Sequence, residues 1–424
     1  MKQQVSPQES IEEKRGAQAE TGSAAGSRLR VLIVAPSIDI LGGQAVQAAR
    51  LLEGLGQEPS LEVGFLPINP RLPGPLRQLQ RIKYVRTFVT TLQYAASLLR
   101  HVRKYDLVHI FSASYFSFVL APTPAILVSK LYGKKIVLNY HSGEAEDHLT
   151  RWRRTAIPTL KLADAIAVQS DYLVNVFARF GLEARAIFNH LEMQRFSFRE
   201  RKALRPIFLA NRNLEPHYNV GCVLRAFAKI QKSIPEAQLI VVGDGSQRGE
   251  LESLARSLAL RNAEFRGRVP PERMRDVYGE ADIYLNASEI DSMPISILEA
   301  FASGLAVATT RAGGIPFIVT HERTGLLVER GDHDALASAA LRLLEDGVLA
   351  SSLINNALSE CEKYSWPAVR DAWLSLYREV MHGKAEANQG GADESEQRMM
   401  SAEQRAVKVE QEIGRIKEID SFSH

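Results

Sequence analysis

Two acids, Asp291 and Glu299, stand eight residues apart in the stretch EIDSMPISILEAFASG, residues 289–304. Between them lie Ser292, Met293, Pro294 and an apolar run that begins at Ile295. Pro294 suits the first turn of a helix and Ser292 its cap. The pattern therefore predicts a helix over about 294–303, with the N–H groups from Ser292 to Ile295 turned toward a ligand. Asp291 then stands at the mouth of a site, where it can take sugar hydroxyls or an amine. Glu299, about one and a half turns further on, can accept both hydroxyls of a ribose. Its neighbours Ile297, Leu298, Ala300 and Phe301 are apolar, and an acid without a polar partner in such a setting is costly.

Arg212 ends the run PIFLANR (206–212), with His217 and Tyr218 close behind. A guanidinium at a strand end can grip a diphosphate with two parallel bonds. Gly42 and Gly43 follow the first apolar run, where the lack of a Cβ lets backbone N–H groups come close to a phosphate.

The elements that must position these residues are readable from periodicity. Short apolar runs predict strands at 28–37, 62–69, 106–111, 135–140, 164–170 and 184–189. The polar, basic RFSFRERKALR (195–205) reads as a linker, after which the pattern restarts. Strands are expected at 206–212, 237–245, 263–267, 282–288, 305–310 and 325–328, with helices between most of them. Such alternation implies an α/β protein with two doubly wound, mostly parallel sheets facing a central cleft. The expected organisation is a disordered tail (1–28), a first Rossmann-like domain (29–195), the linker, a second domain (206–364), a closing amphipathic helix (365–382) and a charged tail (383–424).

Composition narrows the function classes. Net charge is +3, too balanced to argue for nucleic acid, and no nucleic-acid motif accompanies the basic residues. The two cysteines, Cys222 and Cys361, cannot make a disulfide framework and favour a reducing, cytoplasmic setting. The uncharged stretch from Phe111 to Ser129 contains Pro122 and Pro124 and reads as a strand end followed by a core helix, not a membrane span. The only D-x-D, Asp332-His333-Asp334, sits at a predicted helix start, where an acid serves as a cap; no metal site is expected.

The acid pair, the ILEAFASG run, VVGDGSQRGELESLA (241–255), ADIYLNASE (281–289), AGGIP (312–316) and TGLLVERGD (324–332), in this order, resemble the retaining GT-B-fold glycosyltransferases of family 4. In the first half GGQ, DLVH (106–109), NYH (139–141) and QSDYL (169–173) fit the same order. The resemblance covers roughly residues 30–381. It implies a nucleotide-sugar co-substrate, UDP- or GDP-linked, bound by the second domain, with no cofactor. Glu299 then holds the ribose, Asp291 contacts the donor sugar and Arg212 belongs to the phosphate grip. His141 lies by the donor sugar and Gly43 approaches the transferred group. Gly243 joins the donor-binding set, and Asn286 and Ser288 line the floor by base or ribose.

Three positions depart from the family pattern. The first acid is Asp291 rather than glutamate, His217 stands in for a lysine, and Phe317 replaces a glutamate after GGIP. A GT-B epimerase would need acid–base groups in both domains and a phosphorylase a cofactor lysine, and neither set is found. The alternative of another class is a degenerate homologue that binds a nucleotide without turnover or acts as a non-catalytic interaction protein.

On the acceptor side, residues 63–105 carry no Asp or Glu and eight basic residues: Arg71, Arg77, Arg81, Lys83, Arg86, Arg100, Arg103 and Lys104. Leu79, Ile82, Tyr84, Phe88, Leu92 and Tyr94 interleave with them, and RWRR follows at 151–154. This is either a solvated basic face or a surface that docks on anionic lipid. The second would suit a glycan or lipid-linked acceptor at the inner face of the membrane.

Overall fold

A computed structural model describes residues 28–38, 43–70, 83–112, 114–201 and 203–383, with backbone alone for 83–86. The expected tails lie almost wholly outside the described residues, as do Gly42, Arg71, Arg77 and Arg81.

Among the described residues the strands form two six-stranded parallel sheets. The first comprises β1 (Leu29–Ala35), β2 (Leu61–Pro67), β3 (Leu107–Ser112), β4 (Lys135–Tyr140), β5 (Ala165–Val168) and β6 (Arg185–Ala186), in the order β2-β1-β3-β4-β5-β6. The second comprises β7 (Ile207–Asn211), β8 (Gln238–Val242), β9 (Ala263–Gly267), β10 (Ile283–Asn286), β11 (Ala306–Thr310) and β12 (Leu326–Val328), in the order β12-β11-β10-β7-β8-β9. Each expected strand is present, because strands covered by helices on both faces must be apolar on both faces. β3, β10 and β11 are buried along their whole length.

The order reverses beside β1 in one sheet and between β10 and β7 in the other. At such switch points the loops diverge and leave a crevice at the carboxyl ends of the strands. Arg212 follows β7 and Asp291 follows β10, so the second crevice lies between these two charges.

The stretch expected as a polar linker is strapped down. The Arg201 side chain is fully buried and donates to Asp282 (3.0 Å) and to the carbonyls of Ser303, Gly304 and Ala281 (2.7, 2.6 and 2.8 Å). Arg199 and Arg205 pair with the same carboxylate. Basic residues here neutralise one buried acid of the second half, which composition alone cannot show.

The Trp366–His382 helix crosses back to the first half. Val369, Trp373, Leu376 and Tyr377 pack on Val31, Leu107 and Phe111 of the first sheet. Tyr377 and His109 Nδ1 are 2.6 Å apart, and Asn139 Nδ2 lies 3.1 Å from His109 Nε2. The uncharged Phe111–Ser129 stretch is a strand end followed by helices Tyr115–Leu120 and Pro122–Leu131. No described helix is long and apolar enough to cross a membrane.

Candidate active site

A cleft of about 1020 Å³ lies between the halves. Its wall residues follow the carboxyl ends of strands of both sheets: Gly43 and His141 from the first half, Arg212, Gly243 and Asp291 from the second.

Arg212 and Asp291 form an ion pair on its floor, with side chains 12% and 9% exposed. Arg212 Nη1 also donates to Ser296 Oγ (3.1 Å), and the guanidinium lies 4.0 Å from the centre of the Tyr218 ring. Its Nε is buried without a hydrogen-bond partner. Burial weighs against the Arg212 charge, but Asp291 opposite keeps it firmly protonated. Burial likewise pushes the Asp291 carboxyl up, against the pull of Arg212 and of the Met293 and Ser292 N–H groups.

Glu299 faces the same cleft from the Ile295–Ala302 helix and accepts from the Tyr278 hydroxyl at 2.8 Å. Burial raises its pKa above the ordinary glutamate value of 4.5. One carboxylate oxygen is thus oriented by Tyr278, which fixes the direction in which the acid meets a ligand.

The entry to this helix differs from expectation. Pro294 is the capping residue, not the first helical one, and no side chain caps the turn. The Ser292 hydroxyl instead accepts from the Gln169 side chain of the first half. The Met293 N–H is turned back on Asp291 Oδ1 (3.2 Å), so it does not face a ligand in this state. Met293, Pro294 and Ile295 do line the cleft, as Ser292 does.

Gly243 has φ +129°, and a Cβ there would lie 2.1 Å from the Arg212 carbonyl oxygen. Only glycine fits, so this residue lets the β7 and β8 loops close under Arg212. Gly313 and Gly314 of AGGIP do the same below the acidic loop. A Cβ would lie 2.1 Å from Asp291 O at the first and 1.9 Å from Ser292 O at the second. Gly314 N donates to Asp291 O at 2.7 Å.

His141 is 8% exposed and stacks on Phe111 at 4.9 Å. Burial lowers its pKa to about 4, with nearby Gln169 acting in the opposite direction. Its Nε2 has no partner at hydrogen-bond distance. His141 also borders the cleft, and a neutral imidazole with an unsatisfied nitrogen can give or accept one hydrogen bond there.

Other expected residues are placed elsewhere. Ser288 and Asn286 are fully buried beneath the floor, where Ser288 donates to Asn286 Oδ1 (2.8 Å) and Asn286 to Thr309 (2.9 Å). The end of β10 is covered by its neighbours, so neither residue lines the cleft. His217 lines a side pocket of about 220 Å³ that adjoins the cleft and shares Asp291 and Ser292 with it, while Tyr218 takes the position over Arg212. Phe317 faces Tyr172 of the first half at 6.3 Å, on the seam between halves. Asp332 caps the His333–Glu345 helix through the N–H groups of Asp334 (3.1 Å) and Ala335 (2.8 Å).

Arg50, Gln169, Asn189 and Arg268 also line the cleft and were not singled out in the sequence. Only the QSDYL run, which contains Gln169, offered a signal.

Family models agree with this geometry. The model described as glycosyl transferases group 1 matches residues 193–360, and that of glycosyltransferase family 4 matches residues 41–190. The chain is 36% identical over 166 residues to the D-inositol 3-phosphate glycosyltransferase of Corynebacterium jeikeium, 37% of this chain and 40% of that one. It is 24% identical over 389 residues to the phosphatidyl-myo-inositol mannosyltransferase of Mycolicibacterium smegmatis, 86% of this chain and 97% of that one. The chain spans less than half the length of the first curated relatives it matches. Among solved structures, Anabaena HepE in complex with UDP and glucose superposes with a TM-score of 0.65 at 17% identity, over 82% of this chain and 99% of that one.

Proposed function

The chain belongs to the group 1 glycosyl transferases of the GT-B fold, and from that premise we propose that it moves a sugar from a nucleotide-diphosphate donor to an acceptor hydroxyl with retention of configuration. The observation that carries this is the Arg212–Asp291 pair with Glu299 beside it, at the carboxyl ends of the second sheet. Across the cleft stands the unpartnered Nε2 of His141.

In this reading Glu299, oriented by Tyr278, accepts the ribose hydroxyls. Arg212 takes the diphosphate, with the uncapped first turn of the Ile295–Ala302 helix adding its dipole. Gly43 and Gly243 let backbone approach the ligand. Asp291 and His141 hold hydroxyls of the sugar. As the bond from sugar carbon to phosphate oxygen breaks, its electron pair goes to the phosphate, where Arg212 stabilises the charge. The acceptor oxygen bonds to the same face of that carbon, and its proton passes to the departing phosphate oxygen. The step needs no nucleophile or base from the chain, and none of its contacts is assigned to a metal.

The acceptor of this proposal is a glycan, a lipid-linked sugar or a small polyol, and an anionic membrane is the surface that presents it. Phe88 (73% exposed) and Leu92 (62%) lie on one stripe of the Lys83–His101 helix, and Leu131 (72%) on the neighbouring Pro122–Leu131 helix. The Tyr132 hydroxyl donates to Leu99 O (3.1 Å) and ties the two together. Arg100, Arg103, Lys104 and Lys130 are exposed around this apolar strip, the mixture that anionic headgroups attract. Buried, free Cys222 and Cys361 suit the cytoplasmic side.

Calorimetry with UDP, GDP and ADP, with and without magnesium, tests the donor site. Binding of one nucleotide, lost in Glu299→Ala, is expected; binding of none would favour the non-catalytic alternative. Co-sedimentation with phosphatidylglycerol vesicles tests the surface. Binding should exceed that to phosphatidylcholine and fall in Phe88→Asp, and equal binding to both would sink the membrane contact.

A further inference from the structure

Gln169 stands at the end of β5 in the first half, 8% exposed, with both ends of its amide engaged. Its Oε1 accepts from Asn189 Nδ2 at 2.8 Å, and its Nε2 donates to Ser292 Oγ in the second half. Asn189 N approaches Met293 Sδ at 3.3 Å. Gly143 of the first half packs so closely on the same loop that an added Cβ would lie 3.3 Å from Ile290 and 3.6 Å from Ser292 N. The acidic loop 290–293 is therefore held from two sides. Gly313 and Gly314 support it within its own half, and Gln169 and Asn189 hold it across the seam.

We infer that Gln169 is a positioning residue for Asp291, acting through Ser292 and only while the two halves are together. A primary amide is suited to this, because one planar group accepts from one half and donates to the other. The neighbouring Asp291 carboxylate has its position set on three sides: by Arg212, by the Met293 N–H, and through the backbone of Ser292 by Gln169. Opening of the cleft separates Gln169 from Ser292 and leaves the loop supported by its own half alone. Closure of the halves and placement of the acid are thereby one event. The inference uses the cleft of the proposed transferase, but the contacts themselves need no ligand.

The test is hydrogen–deuterium exchange on the full chain without ligand, in the wild type, Gln169→Met, Ser292→Ala and the double variant. Methionine keeps the length of the side chain and removes its hydrogen bonds. Loss of one such bond should speed exchange of the 290–293 amides by about 2- to 10-fold. Peptides over β8, on the far side of the second sheet's switch point, should be unchanged. The double variant should exchange no faster than Gln169→Met, because Ser292→Ala removes a bond that Gln169→Met has already broken; Gln169→Met alone also gives up the bond from Asn189. Unchanged exchange at 290–293, or effects that multiply in the double variant, would overturn the inference. A general acceleration including β8 would also overturn it, since it would mean simple loss of stability. This readout does not depend on nucleotide. Failure here leaves the transferase proposal standing, whereas absence of nucleotide binding by the wild type defeats that proposal and leaves the bridge intact.

Discussion

Removing the Arg212 guanidinium separates two roles that the structure assigns to it. In Arg212→Ala, Asp291, only 9% exposed in the intact protein, loses its ion-pair partner. Breaking an enclosed ion pair by deleting one member costs about 3–5 kcal/mol. Asp291 keeps the Met293 N–H and borders an open cleft, so we expect about 2 kcal/mol, the cost of an imperfectly satisfied buried group. That corresponds to a fall in Tm of roughly 2–3 °C for a chain of this size, at about 2.1 cal/mol/K of unfolding entropy per residue. The sign of the pH dependence follows from burial. The carboxyl is already above its ordinary value of 3.8 in the intact protein, and loss of Arg212 removes the main force pulling it down. A raised carboxyl pKa favours the folded state while protonated and disfavours it as pH rises through that pKa. The deficit of Arg212→Ala should thus be largest near neutrality and shrink on acidification, as urea unfolding at about pH 8 and about pH 5 would show. Adding Asp291→Asn, which removes the orphaned charge, should recover most of the stability. Turnover should not follow: loss of one charge-stabilising donor lowers it by about 10²–10³-fold, and the double variant should stay as inactive as the single. The reasoning is refuted if Arg212→Ala turns over donor normally, or if Asp291→Asn fails to restore stability in its background.

Further expectations concern other residues. Glu299→Ala should weaken nucleotide diphosphate binding by about 10- to 100-fold, the loss of hydrogen bonds to a charged group; unaltered calorimetric affinity would remove it from the ribose. In the wild type the same affinity should decline on acidification from a point above pH 4.5, because burial raises the Glu299 pKa. The pH–rate profile should lack an inflection from His141 near neutrality, since burial lowers its pKa to about 4; a limb near the usual histidine range that vanishes in His141→Gln would contradict this. Asp282→Ala should destabilise the fold by about 3–5 kcal/mol in urea, because it leaves the fully buried Arg201 without a counter-charge.

The sheets were readable because parallel strands covered on both faces must be continuous apolar runs, as LVHIFS and AVATT are. Arg212, Gly243 and Asp291 were readable because each follows such a run, where the topology leaves the crevice, and Glu299 because it is the one acid in a largely apolar helix. What escaped was long-range pairing. Ser292 looks like a cap by local rules, but its hydroxyl is engaged by Gln169, 123 positions earlier. Ser288 and Asn286 look like crevice residues because β10 was read as running two residues further than it does, and tertiary cover closes over them. The basic run near 200 looks solvated, but Arg201 within it is fully buried against Asp282, some 80 positions away. None of these partners is encoded in the spacing of neighbours.

The helix that returns from the second half to the first has a bearing on how the protein is made. Trp373, Leu376 and Tyr377 cover the face of the first sheet built from Val31, Leu107 and Phe111. On the ribosome, this sheet emerges early and its covering helix only after the whole second half has been synthesised. Until then the first half exposes an apolar face and the polar edge of His109 that Tyr377 later meets. Half of the molecule must wait, unsealed, for the other to be completed, and the longer that interval, the longer an aggregation-prone apolar face stays uncovered.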